Sequence, residues 1–184
     1  MKILGIDTDT KGSVALFDTS DNSLIVFALP NKHKIINKTK RLRLDEAKTK
    51  EILTKLVPRA DAIFLEQQNA RPQQGVTSTF TFGQVYGTLI GLTHGCGGEE
   101  DTIHFVTGAK WKNSLGVTRD KKATVNFADR LAPECSHVWK LVKHTSAAEA
   151  FLIALYGAGS LGISITRKPI TPTTITINNM KSLS

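Results

Sequence analysis

The sequence predicts an α/β fold in which a mixed five-stranded sheet is flanked by helices. Three short apolar runs separated by turn residues open the chain, as in an antiparallel meander. After Pro30, runs of helical period alternate with further strands, and this alternation requires parallel crossovers. Two of the strand runs end in an acid, Asp7 and Glu66.

Residues 2–7 read as the first strand and residues 13–17 as the second, joined through Asp9, Thr10, Lys11 and Gly12. Asp21 and Asn22 mark the next turn, and residues 23–29 form a third strand that Pro30 ends. Residues 32–43 carry six Lys or Arg. Apolar positions at Leu44, Ala47, Ile52, Leu53, Leu56 and Val57 then describe a helical face that stops at Pro58. That helix crosses to the strand of residues 62–66. A polar loop, residues 67–75, leads into a helix from Val76 to about His94 in which Gly83, Gly87 and Gly91 recur every fourth residue. Each glycine costs a helix about 1 kcal/mol against alanine, so a close approach should compensate. The stripe either packs on this chain's own sheet or meets a second copy. Residues 102–106 make a fifth strand, residues 120–131 a helix before Pro133, and residues 147–156 a strongly apolar last helix before Gly157. The order is βββαβαβαα. Residues 1–162 read as one domain and residues 163–184, rich in Thr, Ile, Pro, Lys and Asn, as a C-terminal tail.

A chain of 184 residues with 40% hydrophobic content can bury a substantial core. Cys96 and Cys135 lack CxxC spacing, which argues against a disulfide framework or a thiolate zinc site. Only four residues separate Lys2 from Asp7, too few for a signal peptide, and no apolar run approaches a membrane span. An intracellular setting without a membrane partner is expected: cytoplasm or nucleoid, or host cytoplasm for a phage protein, with an organelle not excluded. The net charge of +8, from 24 Lys and Arg against 16 Asp and Glu, points to a polyanionic partner.

Asp7 and Glu66 each follow a buried apolar run, so adjacent strands would bring two carboxylates to one sheet edge. Their repulsion is relieved by a divalent cation. Meander, crossovers and closing helix follow the order of the ribonuclease H-like fold, in which acids from the first and fourth strands and the last helix converge. Here that helix offers His144 and Glu149, making Asp7, Glu66, His144 and Glu149 the candidate site. Phosphodiester hydrolysis needs charge neutralisation, an activated water and a stabilised leaving oxygen, and two divalent ions can supply all three. Oxygen ligands select Mg²⁺ or Mn²⁺. His144 is open to three roles: orienting the water, accepting its proton or binding metal. Glu149 is also spaced from Ser146 as in a capping box. Asp9 reads first as a turn residue of the hairpin, with contact to the metal or its water as the alternative. His33, His94, His104 and His137 show no spacing that marks a site.

These segments resemble the RuvC-type Holliday junction resolvases, especially their phage-like and chloroplast-like branches. Residues 64–87, from Phe64-Leu65-Glu66 through the polar loop to Gly83-Gln84-Val85-Tyr86-Gly87, are similar to the family's acid, loop and glycine-rich helix. Gly5-Ile6-Asp7 is similar to its first catalytic strand. Trp111-Lys112-Asn113-Ser114-Leu115-Gly116 with Asp120-Lys121-Lys122-Ala123 resembles its basic DNA-contacting stretch, and residues 148–154 its closing helix. The likeness covers residues 2 to about 158.

The resemblance implies a homodimeric endonuclease of recombination and repair that resolves four-way DNA junctions by paired symmetric nicks. It implies two Mg²⁺ ions per site, with Mn²⁺ also supporting activity, and no small-molecule cofactor. Asp7, Glu66 and Glu149 would be the metal ligands. Lys112, Lys121, Lys122, Arg71, Gln73, Gln74 and Phe80 would meet DNA. Phe82, Gly83, Gly87 and Gly91 would lie at the dimer interface. Read from residue type alone, Phe80 and Phe82 are more often core residues. Many members carry an acid where this chain has Ser146, and His144 would supply that function. The alternatives are a nuclease of the same fold acting on RNA or RNA/DNA hybrid, and a non-cleaving junction-binding protein. A sugar-kinase or actin-like ATPase domain needs further phosphate loops and a second domain, which 184 residues do not supply.

Overall fold

The computed structural model describes residues 1–36, 38–70, 73–139, 145–163 and 169–176, the side chains of 173–176 excepted. The opening meander is β1 (Lys2–Ile6), β2 (Ser13–Asp18) and β3 (Ser23–Ala28). A separate antiparallel hairpin follows, β4 (Asn31–Ile36) with β5 (Thr39–Leu44). Helix α1 (Glu46–Leu56), capped by the Asp45 carboxylate accepting from the Lys48 N–H, leads to β6 (Ala62–Gln67). Then come α2 (Val76–Gly95), β7 (Ile103–Thr107), α3 (Gly108–Ser114), α4 (Lys121–Leu131), α5 (Ser136–Trp139), α6 (Thr145–Ser160) and β8 (Thr171–Thr176).

The main sheet runs β7-β6-β1-β2-β3-β8. The five expected strands occupy five successive places, with β1–β2–β3 antiparallel and β1–β6–β7 parallel. A sixth strand, β8, comes from the segment expected as a tail and pairs in parallel with β3. Its β-branched Thr and Ile suit a strand, and Pro172 is tolerated because β8 lies at the sheet edge. The β4–β5 hairpin, α3 and α5 were also absent from the expected order. Lys and Arg hide the two-residue period in the hairpin, and α3 is too short to display a helical one.

The sheet is buried on both faces. Leu4, Ile6, Val14, Leu16, Ile63 and Leu65 pack towards α1 and α2. Ile3, Ala15, Phe17 and Phe64 pack towards α4, α5 and α6, where Phe151 stacks on Trp139 with ring centroids 5.7 Å apart. Helix α6 lies close against β1 because Gly5 has no side chain: a Cβ there would stand 2.2 Å from the Ala150 carbonyl oxygen. Among the described residues, no helix is long and apolar enough to cross a membrane.

Candidate active site

The parallel register pairs Ile6 with Leu65, so Asp7 and Glu66 each lie one residue further along neighbouring strands. Strand alternation decides their face. Ile3 and Gly5 in β1, and Ala62 and Phe64 in β6, face α6, and Asp7 and Glu66 continue those two series. Glu149 comes from α6 itself. The three carboxylates line one cleft of about 640 Å³, together with Asp9, Gln74, Phe82, Lys112, Arg119 and Lys121.

Asp7 is 3% exposed. Burial pushes its carboxyl well above the ordinary carboxylate range, and repulsion from Glu149, Glu66 and Asp9 adds to this. The Asp9 backbone N–H, donating to Asp7 Oδ1 at 3.2 Å, opposes the shift. Glu66 is also raised, first by burial. Its Oε1 accepts from the Trp111 indole N–H at 3.2 Å, which favours the ionised form. Glu149 Oε1 accepts from Lys112 Nζ at 2.8 Å. One short helix thus supplies both counterweights: α3 carries Trp111 and Lys112, and Thr107 caps it by accepting from the Lys110 N–H.

The donor chemistry fits a hard divalent cation, since three carboxylates face one cleft and burial and repulsion both disfavour the ionised forms of Asp7 and Glu66. Among the described residues, no group of three His, Cys, Asp or Glu side chains is gathered tightly enough to hold an ion as it stands. Lys112 provides the neighbouring positive charge to Glu149. The capping-box reading of Ser146 does not hold, because Ser146 lies inside α6 with its Oγ 2.9 Å from Ser13 Oγ and Glu149 turns to Lys112.

The other expected residues divide. Lys112, Lys121 and Gln74 line the cleft, while Gln73 and Lys122 are exposed outside its lining. Phe82 lines the cleft, and Phe80 is 69% exposed, so neither is a buried core residue. His144 and Arg71 lie outside the described residues. The reading of the glycine stripe as packing on this chain's own sheet is corrected. A Cβ at Gly83, Gly87 or Gly91 would meet nothing within 4 Å among the described residues.

Trp111, Arg119 and Gly108 belong to the site although no role of their own was expected of them, and Asp9, expected first as a turn residue, also lines the cleft. Gly108 carried a readable signal, a glycine at a strand-to-helix junction. Its reason is tertiary: a Cβ there would stand 2.5 Å from Glu66 Oε1.

Sheet order, meander and acid-bearing closing helix define the ribonuclease H-like fold. Within it, the chain has the fold of the RuvC-type resolvases. It matches the Thermus thermophilus RuvC structure with a TM-score of 0.51 at 13% identity, covering 88% of this chain and 97% of that one. Two further similar structures are T. thermophilus RuvC in complex with Holliday junction substrate (TM-score 0.46, 14% identity, 88% and 97% covered) and the Fowlpox virus resolvase with substrate Holliday junction DNA (0.41, 12%, 88% and 99%). No protein-family model and no curated protein sequence matches the chain.

Proposed function

We propose that the protein is a metal-dependent endonuclease that resolves four-way DNA junctions by paired nicks. One observation carries this reading: Asp7, Glu66 and Glu149 share a cleft lined with Lys112, Arg119 and Lys121, in a chain of net charge +8. Acids at the centre and cations around them suit a phosphodiester brought to a divalent ion.

Asp7, Glu66 and Glu149 would hold Mg²⁺ or Mn²⁺, which would supply charge neutralisation and an activated water. Lys112, Lys121 and Arg119 bind the phosphates that flank the scissile bond. Trp111 keeps Glu66 oriented through its indole N–H. His144, next in sequence to the first residue of α6, serves as the proton acceptor for the water. The exposed Phe80 at the start of α2 offers an aromatic face to unpaired bases at the branch point. The open glycine stripe of α2 is the contact between two copies, giving the paired sites that symmetric nicking needs.

The deciding experiment compares end-labelled four-way junction, linear duplex and RNA/DNA hybrid, each with Mg²⁺, Mn²⁺ or chelator. Symmetric nicks confined to the junction and abolished by chelator are expected. Cleavage of the hybrid alone would replace the reading with a hybrid-specific nuclease of the same fold. Tight junction binding with no cleavage in either metal would leave a non-cleaving junction-binding protein.

A further inference from the structure

We propose that the β4–β5 hairpin is an arm that grips the phosphate backbone of duplex DNA leading away from the active site. This rests on the nuclease reading and adds a surface that reading does not use. Residues 31–44 contain six Lys or Arg and no acid.

The register arranges those charges. Lys32 is opposite Arg43 and Lys34 is opposite Arg41, and directly opposed residues in an antiparallel pair share a face. Four cations therefore stand on one face as two like-charged pairs, an arrangement that destabilises an isolated hairpin. The base of the hairpin relieves its pair within the protein, since Lys32 binds Glu46 and lies 3.9 Å from Asp45. Towards the tip and among the described residues, no carboxylate lies within ion-pair distance of Lys34, Arg41 or Arg43, and Arg43 Nη1 donates to the Leu42 carbonyl oxygen. The field of Lys34 is felt by Glu46, but that carboxylate is already bound by Lys32. A ladder of cations without local anions needs an external one.

Position supplies the second argument. Ala28, the last residue of β3, pairs with Ser13, whose carbonyl oxygen accepts from the Asp7 N–H at 2.9 Å. The Leu29 N–H donates to the Gly12 carbonyl oxygen at 2.8 Å. The hairpin thus leaves the sheet at the edge that carries the acids, two strands from Asp7, which is roughly 10 Å. Buried Leu44 and the Asp45 N–H donating to the Pro30 carbonyl oxygen fix its base. A two-stranded ribbon also has the width that a DNA major groove admits. An anionic membrane would match the charge, but exposed Ile35 is the hairpin's one large apolar side chain of high exposure, too little for insertion.

The test measures anisotropy of labelled linear duplex and of four-way junctions with long or trimmed arms, in chelator, across a salt series. The variant Lys34→Gln/Arg41→Gln/Arg43→Gln should weaken duplex and long-arm binding about tenfold or more and lower the salt slope by about 2.7. Binding to trimmed junctions and single-turnover cleavage of them at saturating protein should stay at parent levels. Arg41→Lys, which keeps the charge, should keep the slope and so separates lost charge from altered folding. Unchanged duplex slope in the triple variant overturns the proposal, as does equal loss on trimmed junctions. Loss of binding to phosphatidylserine vesicles with DNA binding intact overturns it in favour of a membrane surface. If the parent cleaves no junction while the triple variant still loses duplex slope, the nuclease reading fails and the arm stands.

Discussion

Lys112 Nζ donates to Glu149 Oε1 at 2.8 Å and so ties α3 to α6 where the acids meet. Both side chains are largely shielded, at 15% and 16% exposure. The ammonium therefore offsets charge that water reaches poorly, and Lys112 belongs to the acid cluster as well as to the cationic lining of the cleft.

Removing only the cation leaves Glu149 facing Asp7 and Glu66. Lys112→Met should cost about 2 kcal/mol, a fall of about 4–8 °C in melting temperature. The double variant Lys112→Met/Glu149→Gln should recover most of it in a calorimetric double-mutant cycle. An additive double variant would mean the pair contributes nothing to stability.

Asp7 gives a pH dependence of definite sign. Its folded-state carboxyl is raised above the unfolded value, so ionisation destabilises the native state as pH rises from about 4 through the folded value. Asp7→Asn should therefore melt higher than the parent at neutral pH in chelator, with the gap closing as pH falls towards 4. The same variant should lose junction cleavage and any thermal stabilisation by Mg²⁺.

Gly108→Ala puts a methyl group where Glu66 Oε1 stands, 2.5 Å from the ideal Cβ position. Glu66 must shift and its bond from Trp111 is disturbed. Cleavage at saturating substrate should fall about 100-fold, as expected of a misplacement of about 1 Å, with a change in Trp fluorescence and only a small change in melting temperature.

The glycine stripe predicts the opposite balance. Gly87→Ala meets open space, so helix propensity should stabilise the single chain by about 1 kcal/mol. If α2 is the contact between copies, the same substitution should weaken dimerisation in sedimentation equilibrium. A tighter dimer would place the interface elsewhere.

Cys135 is buried, and its thiol is pushed up to about 12, chiefly by desolvation and then by Glu134. Iodoacetamide at pH 8 should leave Cys135 unmodified in the native protein and modify it in denaturant, read by mass spectrometry. Native labelling at Cys135 would show that the packing around α5 opens readily.

Local chemistry in the sequence determined the five strands that carry apolar runs, the helices α1, α2, α4 and α6, and the acids at Asp7, Glu66 and Glu149. Runs of Ile, Leu and Phe are legible because burial imposes their period. The hairpin, α3 and β8 were not, since exposed strands need no apolar period, seven residues show no helical one, and an edge strand is defined by its partner.

Tertiary structure alone decided how those acids are balanced. Nothing in the spacing of Trp111 and Lys112 says that one reaches Glu66 and the other Glu149, 45 and 37 residues distant. Nor does it say that Gly5 lets α6 approach β1, or that the stripe on α2 faces away from the sheet. Sequence sets which groups prefer burial or charge. Which of them meet depends on strand register and helix packing, and these are settled only when the whole chain closes on both faces of the sheet.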